Sequence, residues 1–167
     1  MLVPIAESIP VGYIVCDVQL IIAKNISNTL FEVAMSASSN QVSVGVMVVN
    51  NGLLANAQPA AFIEKVEWIE IDGKLQSITV MYPEYETDKD LYNYCAANAV
   101  GEGQVYVCGE SGNIAAGDLI VTSSVAGVGM KQSDNIVRNI TVAKARQAMS
   151  FTDTTTPVLV ACIYLCG

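Results

Sequence analysis

The chain contains no histidine. That absence excludes the Ser-His-Asp and Cys-His forms of nucleophilic catalysis and every histidine-ligated metal site. Positive charge is scarce as well. Eight lysines and arginines stand against sixteen aspartates and glutamates, a net charge of −8. Nucleic acids and anionic membranes recruit basic faces, so neither is an expected partner. No apolar run approaches the roughly 20 residues of a membrane-spanning helix. The N-terminus, MLVPIAESIPVGY, has neither the basic start nor the long apolar stretch of a signal peptide. Charged residues make up only 14% of the 167 positions and apolar ones 52%. A chain of that size and composition buries a core without metals or staples and is not disordered.

The cysteines are five: Cys16, Cys95, Cys108, Cys162 and Cys166. An odd number in a chain of this size argues against a disulfide framework. Cys16, Cys108 and Cys162 sit inside apolar runs, where a free thiol behaves as a small hydrophobe. Zinc needs closely paired ligands, and Cys162 and Cys166 form the one close pair. No metal or other cofactor is expected. These features together describe a protein made and folded in a reducing cytoplasm.

The dominant texture is short Val- and Ile-rich segments separated by Gly, Asn, Ser and Asp. They fall at 12–18, 20–23, 42–49, 67–71, 77–81, 104–108, 118–122, 139–143 and 158–165. Such spacing predicts a single all-β domain over 1–167, a compact barrel or sandwich. Asn51-Gly52 and Asp72-Gly73 are tight-hairpin signals, because a type I′ turn needs positive φ at both central residues. The run EWIEIDGKLQSITV therefore predicts a hairpin, with Trp68, Ile69 and Ile71 on one arm and Leu75, Ile78 and Val80 on the other. Gly127 and Gly129 bracket another bend. Helix signals are poor, the best being 88–97, with Asp88 as a cap and Leu91, Tyr94 and Cys95 at helical spacing. One short helix or long connection is expected near 84–98. The stretch 82–98 reads as a surface connection or insertion rich in tyrosine, and Tyr82, Tyr85, Tyr92 and Tyr94 are candidates for outward contact. The two ends echo each other: Gly12-Tyr13-Ile14-Val15, Lys24 and Val44-Gly45-Val46 early; Gly117-Asp118-Leu119-Ile120-Val121, Lys131 and Val142-Ala143-Lys144 late. Paired elements of one barrel and chance agreement both account for that.

Catalytic constellations are thin. The Gly-rich run 100–117 has no GxxxxGK[ST] and no GxGxxG opening a helix, so its glycines read as turns. Glu84 with Glu86, and Asp88 with Asp90, are paired carboxylates without the order of a calcium loop, and read as a solvated acidic surface. Ser123 and Ser124 near Lys131 lack the frame of a Ser-Lys dyad. The composition points away from enzymes.

Two strands read as apolar on both faces, 118–122 through Leu119, Ile120 and Val121, and 158–165, and a strand of that kind is covered on both sides. In a chain this short, a neighbouring subunit is the expected second cover. Leu119, Val121, Val160, Ile163 and Leu165 are the candidate self-association residues.

The segment 105–167 carries a recognisable grammar. It runs Gly112-Asn113-Ile114, Gly117-Asp118-Leu119, Thr122-Ser123-Ser124, Gly129-Met130-Lys131-Gln132 and Val142-Ala143-Lys144-Ala145, and closes on Ala161-Cys162 and Leu165-Cys166-Gly167. It resembles the C-terminal domain of tail-fibre-like and appendage-like structural proteins of tailed bacteriophages, notably those of cyanophages and related marine phages. The early runs GYIVCDVQLIIAKNIS and VSVGVMV are similar to the first strands of the same domain, while 50–100 matches nothing in it. The resemblance implies a virion structural protein, a homotrimer, made in the host cytoplasm and docked on other capsid or tail proteins. With the first strand entered by about position 11 and no shaft before it, a compact decoration (cement) or appendage protein is expected. A receptor-binding tip module is the alternative.

Overall fold

The computed structural model describes residues 1–166; Gly167, the last residue of the closing motif quoted above, lies outside the described residues. The fold is mostly β, with two closed five-stranded barrels and a separate two-stranded ribbon. Strands β1 (Leu2–Pro4), β2 (Ile14–Ile22), β3 (Leu30–Met35), β4 (Gly45–Leu53) and β7 (Tyr92–Asn98) form the first barrel, in the order β1-β3-β2-β4-β7. Strands β8 (Val100–Val107), β9 (Leu119–Thr122), β10 (Gly129–Lys131), β11 (Ala143–Ala145) and β12 (Val158–Leu165) form the second, in the order β10-β8-β12-β11-β9. An odd number of strands cannot close with antiparallel pairs alone. Each barrel accordingly contains one parallel contact, β1 with β3 and β10 with β8.

The echo between the chain's two ends falls on equivalent places in different barrels. Ile14 pairs with Val46 where β2 meets β4, and Ile120 pairs with Ala143 where β9 meets β11. The two barrels share a core. Ile14 and Val46 of the first belong to the buried cluster of Val105, Val107, Ile120, Val142 and Val160 of the second. Backbone hydrogen bonds stitch the junction: Ile14 N–H donates to Gly127 O at 2.8 Å and Tyr106 N–H to Gly12 O at 3.0 Å. Tyr13 and Tyr106 meet edge to face at 5.3 Å between centroids.

All five cysteines are free and buried; Cys95 packs in the core of the first barrel, and Cys162 and Cys166 in the shared core. Burial pushes the Cys16 thiol up to about 11 and the Cys162 thiol up to about 12.

Three expectations are corrected. Asn51-Gly52 makes no hairpin. Gly52 alone takes a positive φ (82°), and the pair sits in a bulge of β4, where the register with β7 jumps between Asn50 and Leu53. The Asn50 side chain accepts the Gly52 N–H at 2.8 Å and holds that bulge. The helix falls earlier than 88–97. It is α1 (Pro83–Asp88), with Pro83 presetting φ in the first turn and Glu84 and Glu86 facing the positive helix end. Finally, much of 82–98 is no surface insertion. Strand β7 closes the first barrel between β1 and β4, and Cys95 points into its core. The β-forming tyrosines and two neighbouring edges in need of a partner override the helical spacing of Leu91, Tyr94 and Cys95.

Candidate interaction site

The hairpin expected from Asp72-Gly73 is present. Strands β5 (Ile63–Ile71) and β6 (Lys74–Met81) pair from Ile63–Met81 to Ile71–Lys74. Asp72 (φ 52°) and Gly73 (φ 74°) both take the left-handed region that a two-residue turn of this kind requires. Its setting is what sequence reasoning missed. β5 and β6 pair with each other and with no barrel strand. The ribbon springs from the end of the first barrel, where Phe62 and Met81 pack on a cluster with Leu54 and Tyr85, and most of its residues beyond that base are exposed.

Cross-strand partners share a face, so the register assigns the side chains. One face carries Val66, Trp68 and Leu75, which are 54%, 69% and 71% exposed. The other carries Ile71 and Ile78, also exposed. Lys65, Glu67, Glu70 and Lys74 alternate with them on both faces, and Lys65 and Glu67 pair at 2.6 Å on one. An isolated two-stranded ribbon is marginal in water, and this one leaves a tryptophan uncovered. The signal was in the sequence. Neither face of EKVEWIEIDGKLQSITV is purely apolar or purely polar, which is the pattern of a ribbon with no barrel on either side.

The candidate self-association residues divide. Leu119, Val121 and Val160 are buried within the single chain and do not form an intersubunit surface. Val160 points into the shared core. The edge and the end of β9 are tied to the chain's own backbone. Asn40 N–H donates to Thr122 O, Gln41 N–H to Thr122 Oγ1 at 2.7 Å, and Gln132 N–H to Leu119 O at 2.7 Å. Ile163 is exposed, and Leu165 is half-buried beside Val42 and Val137 in a groove of about 450 Å³.

Of the candidate outward tyrosines, Tyr85 is corrected. It is buried, stacks edge to face on Phe62 at 5.5 Å, and donates to Ala57 O at 2.9 Å, because α1 plugs the open end of the barrel. Tyr82, Tyr92 and Tyr94 are half-buried against the same cluster. The Lys24 ammonium lies 5.6 Å from the centre of the Tyr82 ring, and Tyr92 donates to the Glu32 carboxylate at 2.9 Å.

The groups with chemistry to offer are engaged structurally. Ser123 donates to Val128 O, Ser124 to the Glu110 carboxylate, and Lys131 pairs with Asp118 at 2.8 Å, so no Ser-Lys dyad assembles. Glu84 pairs with Lys24 and Glu86 with Lys89. Where the barrels meet, a cleft of about 500 Å³ opens between Val11 and Met47 on one side and Tyr106 and Leu159 on the other. Its floor includes Gly103, over which the Tyr164 ring lies. No carboxylate, amine or thiol lines that cleft, so it offers shape and apolar surface without an acid–base pair. The chain matches no family model, no curated protein and no solved structure.

Proposed function

We propose that this chain is a self-associating structural protein of a phage particle, a compact decoration or appendage subunit that assembles, as a trimer, and docks on other virion proteins. The observation that carries self-association is the β5–β6 ribbon, with Trp68 and Leu75 about 70% exposed on one face and both strand edges free of barrel partners. Bare edges and exposed apolar side chains on a projecting element are a standing aggregation hazard unless a partner covers them. Tryptophan is, with tyrosine and arginine, enriched among interface anchors, each worth on the order of 2 kcal/mol or more. The virion assignment is supported by the resemblance of 105–167, and the fused barrels offer the rigid body such a role needs. The reading gives the chain a mechanical role and no catalytic one.

The test is sedimentation of the purified protein with purified phage particles and with their tail and capsid fractions, alongside its mass by light scattering. Saturable binding to one fraction by an oligomer supports the reading. A monomer that binds none of them contradicts it.

A further inference from the structure

Asn51-Gly52 is the one Asn-Gly pair in the chain, and the bulge it forms in β4 leaves it chemically open. Asparagine is a thermolabile residue. The backbone nitrogen of the next residue attacks its side-chain amide carbon, and a glycine there has no side chain to block the approach. At this site the Gly52 nitrogen bonds to Asn51 Cγ and gives up its proton, the side-chain nitrogen leaves as ammonia, and a cyclic imide closes. Water then opens the ring at either carbonyl and leaves aspartate or isoaspartate. Solvent water is the one co-reactant. Asn51 is exposed, and outside its chain neighbours no atom lies within 4 Å of where a Gly52 Cβ would stand. Asn50 and Leu53 pair with Cys95 and Asn93. Asn51 and Gly52 therefore stand together opposite Tyr94, outside the regular ladder.

We propose that Asn51 is a site of spontaneous deamidation and that the Asn50 side chain sets its rate in the folded chain. The nucleophile is the restrained partner. Gly52 N–H donates to Asn50 Oδ1 at 2.8 Å, and the backbone there is held at φ 82°. That bond must break before the Gly52 nitrogen turns toward Asn51 Cγ. The flanks stay fixed on both sides. Val49 and Asn50 pair with Ala96 and Cys95 before the bulge, and Leu53 pairs with Asn93 after it. Leu54 is fully buried in the cluster at the base of the β5–β6 arm. The opening that frees the N–H is therefore local. Losing one hydrogen bond of ordinary net strength raises the fraction of time the N–H is free by roughly five-fold. The product fits where it forms. Isoaspartate adds one carbon to the backbone, and a bulge that already sets two residues opposite one takes it up without breaking a ladder pair. Ageing thus carries the chain to a net charge beyond −8 while the barrel stays closed.

The full chain is aged at neutral to mildly alkaline pH, folded and in urea, and Asn51 is followed by peptide mass spectrometry with isoaspartate detection. Two variants isolate the restraint. Asn50→Ala removes the acceptor, and Asn50→Asp keeps a carboxylate oxygen in its place. Asn50 is exposed, and thermal unfolding verifies that both variants are folded at the ageing temperature. Asn51 is expected to deamidate faster in urea than in the folded parent. Folded Asn50→Ala is expected to deamidate at Asn51 roughly five-fold faster than the folded parent, and Asn50→Asp at close to the parent rate. In urea Asn50→Ala and the parent are expected to age alike, because the bond is gone from both. If folded Asn50→Ala ages no faster than the parent, or Asn50→Asp ages as fast as Asn50→Ala, the role given to the Asn50 oxygen is wrong. A folded parent that ages as fast as the chain in urea overturns the restraint altogether, and an Asn51 that stays intact in urea overturns the site.

Discussion

Gly103 is a position at which one added methyl group is expected to be costly. It lies in β8, and the Tyr164 side chain from β12 lies across it. A Cβ there would stand 2.5 Å from Tyr164 Cε2 and Cζ, and closer still to the hydroxyl. Tyr164 is held by packing and by hydrogen bonds at its hydroxyl. It is 3% exposed, belongs to the shared core, and its hydroxyl donates to Gln104 O at 2.6 Å while accepting from Gln104 N–H at 3.0 Å. Gly103→Ala pushes the ring off both bonds. Two lost hydrogen bonds contribute about 1 kcal/mol each, and overpacking of a filled core adds ~1–3 kcal/mol. The sum is about 3–5 kcal/mol, or on the order of 10 °C in Tm for a chain of this length. Tyr164→Phe keeps the ring and loses only the bonds, so it is expected to cost about 1–2 kcal/mol. Urea and thermal unfolding of the three proteins measure this. A Gly103→Ala protein within 0.5 kcal/mol of the parent, a figure of about the spread of neutral surface substitutions, refutes the packing described for Tyr164.

Thiol reactivity is the second prediction. With all five cysteines buried, a native sample is expected to show no fast-reacting thiol toward an aromatic disulfide reagent, and a denatured one to show five. A rapid native titre of one or more contradicts the core packing. The pH dependence of stability follows from the same burial and from the ion pairs. Burial holds the Cys16 and Cys162 thiols up, to about 11 and about 12. The unfolded chain's thiols ionise near 9, so the unfolded state binds fewer protons above that pH and stability falls as pH rises from about 9 toward 12. On the acid side, the Lys131 ammonium bonded to Asp118 and the Ser124 N–H bonded to Glu110 hold those carboxyls below their ordinary range. Their stabilisation is present above about pH 4.5 and is lost as pH falls through their lowered values. Denaturant midpoints measured across pH 2–11 check both limbs. A flat alkaline limb shows that the thiols are wetter than described.

The strands with continuous or alternating Val and Ile were legible in the sequence. The expected 158–165 is β12 residue for residue, and Asp72-Gly73 gave its hairpin. Elements whose reason for existing is a neighbour were not. Residues 92–98 carry a helical spacing, and only the gap between β1 and β4 makes them a strand. Leu119 and Val121 read as covered by a neighbouring subunit, and both are buried within the single chain. A period-2 pattern reports that a face is covered and not by what. The arm is the converse case. Its turn chemistry is local and readable, whereas its isolation from both barrels is a tertiary fact, signalled only by charges interleaved on both faces. The all-β barrel class was legible, but that the strands close twice was not, because hydrophobic spacing does not count closures.

Self-association through the arm is measured by sedimentation equilibrium on two proteins: the full chain, and a chain in which 65–79 is replaced by a two-residue Asn-Gly turn. The first is expected to show a mass three times that of one chain, and the second a folded monomer with an unchanged far-ultraviolet barrel signature. A full chain that is monomeric at all concentrations, or a shortened chain that still assembles to the same mass, contradicts it.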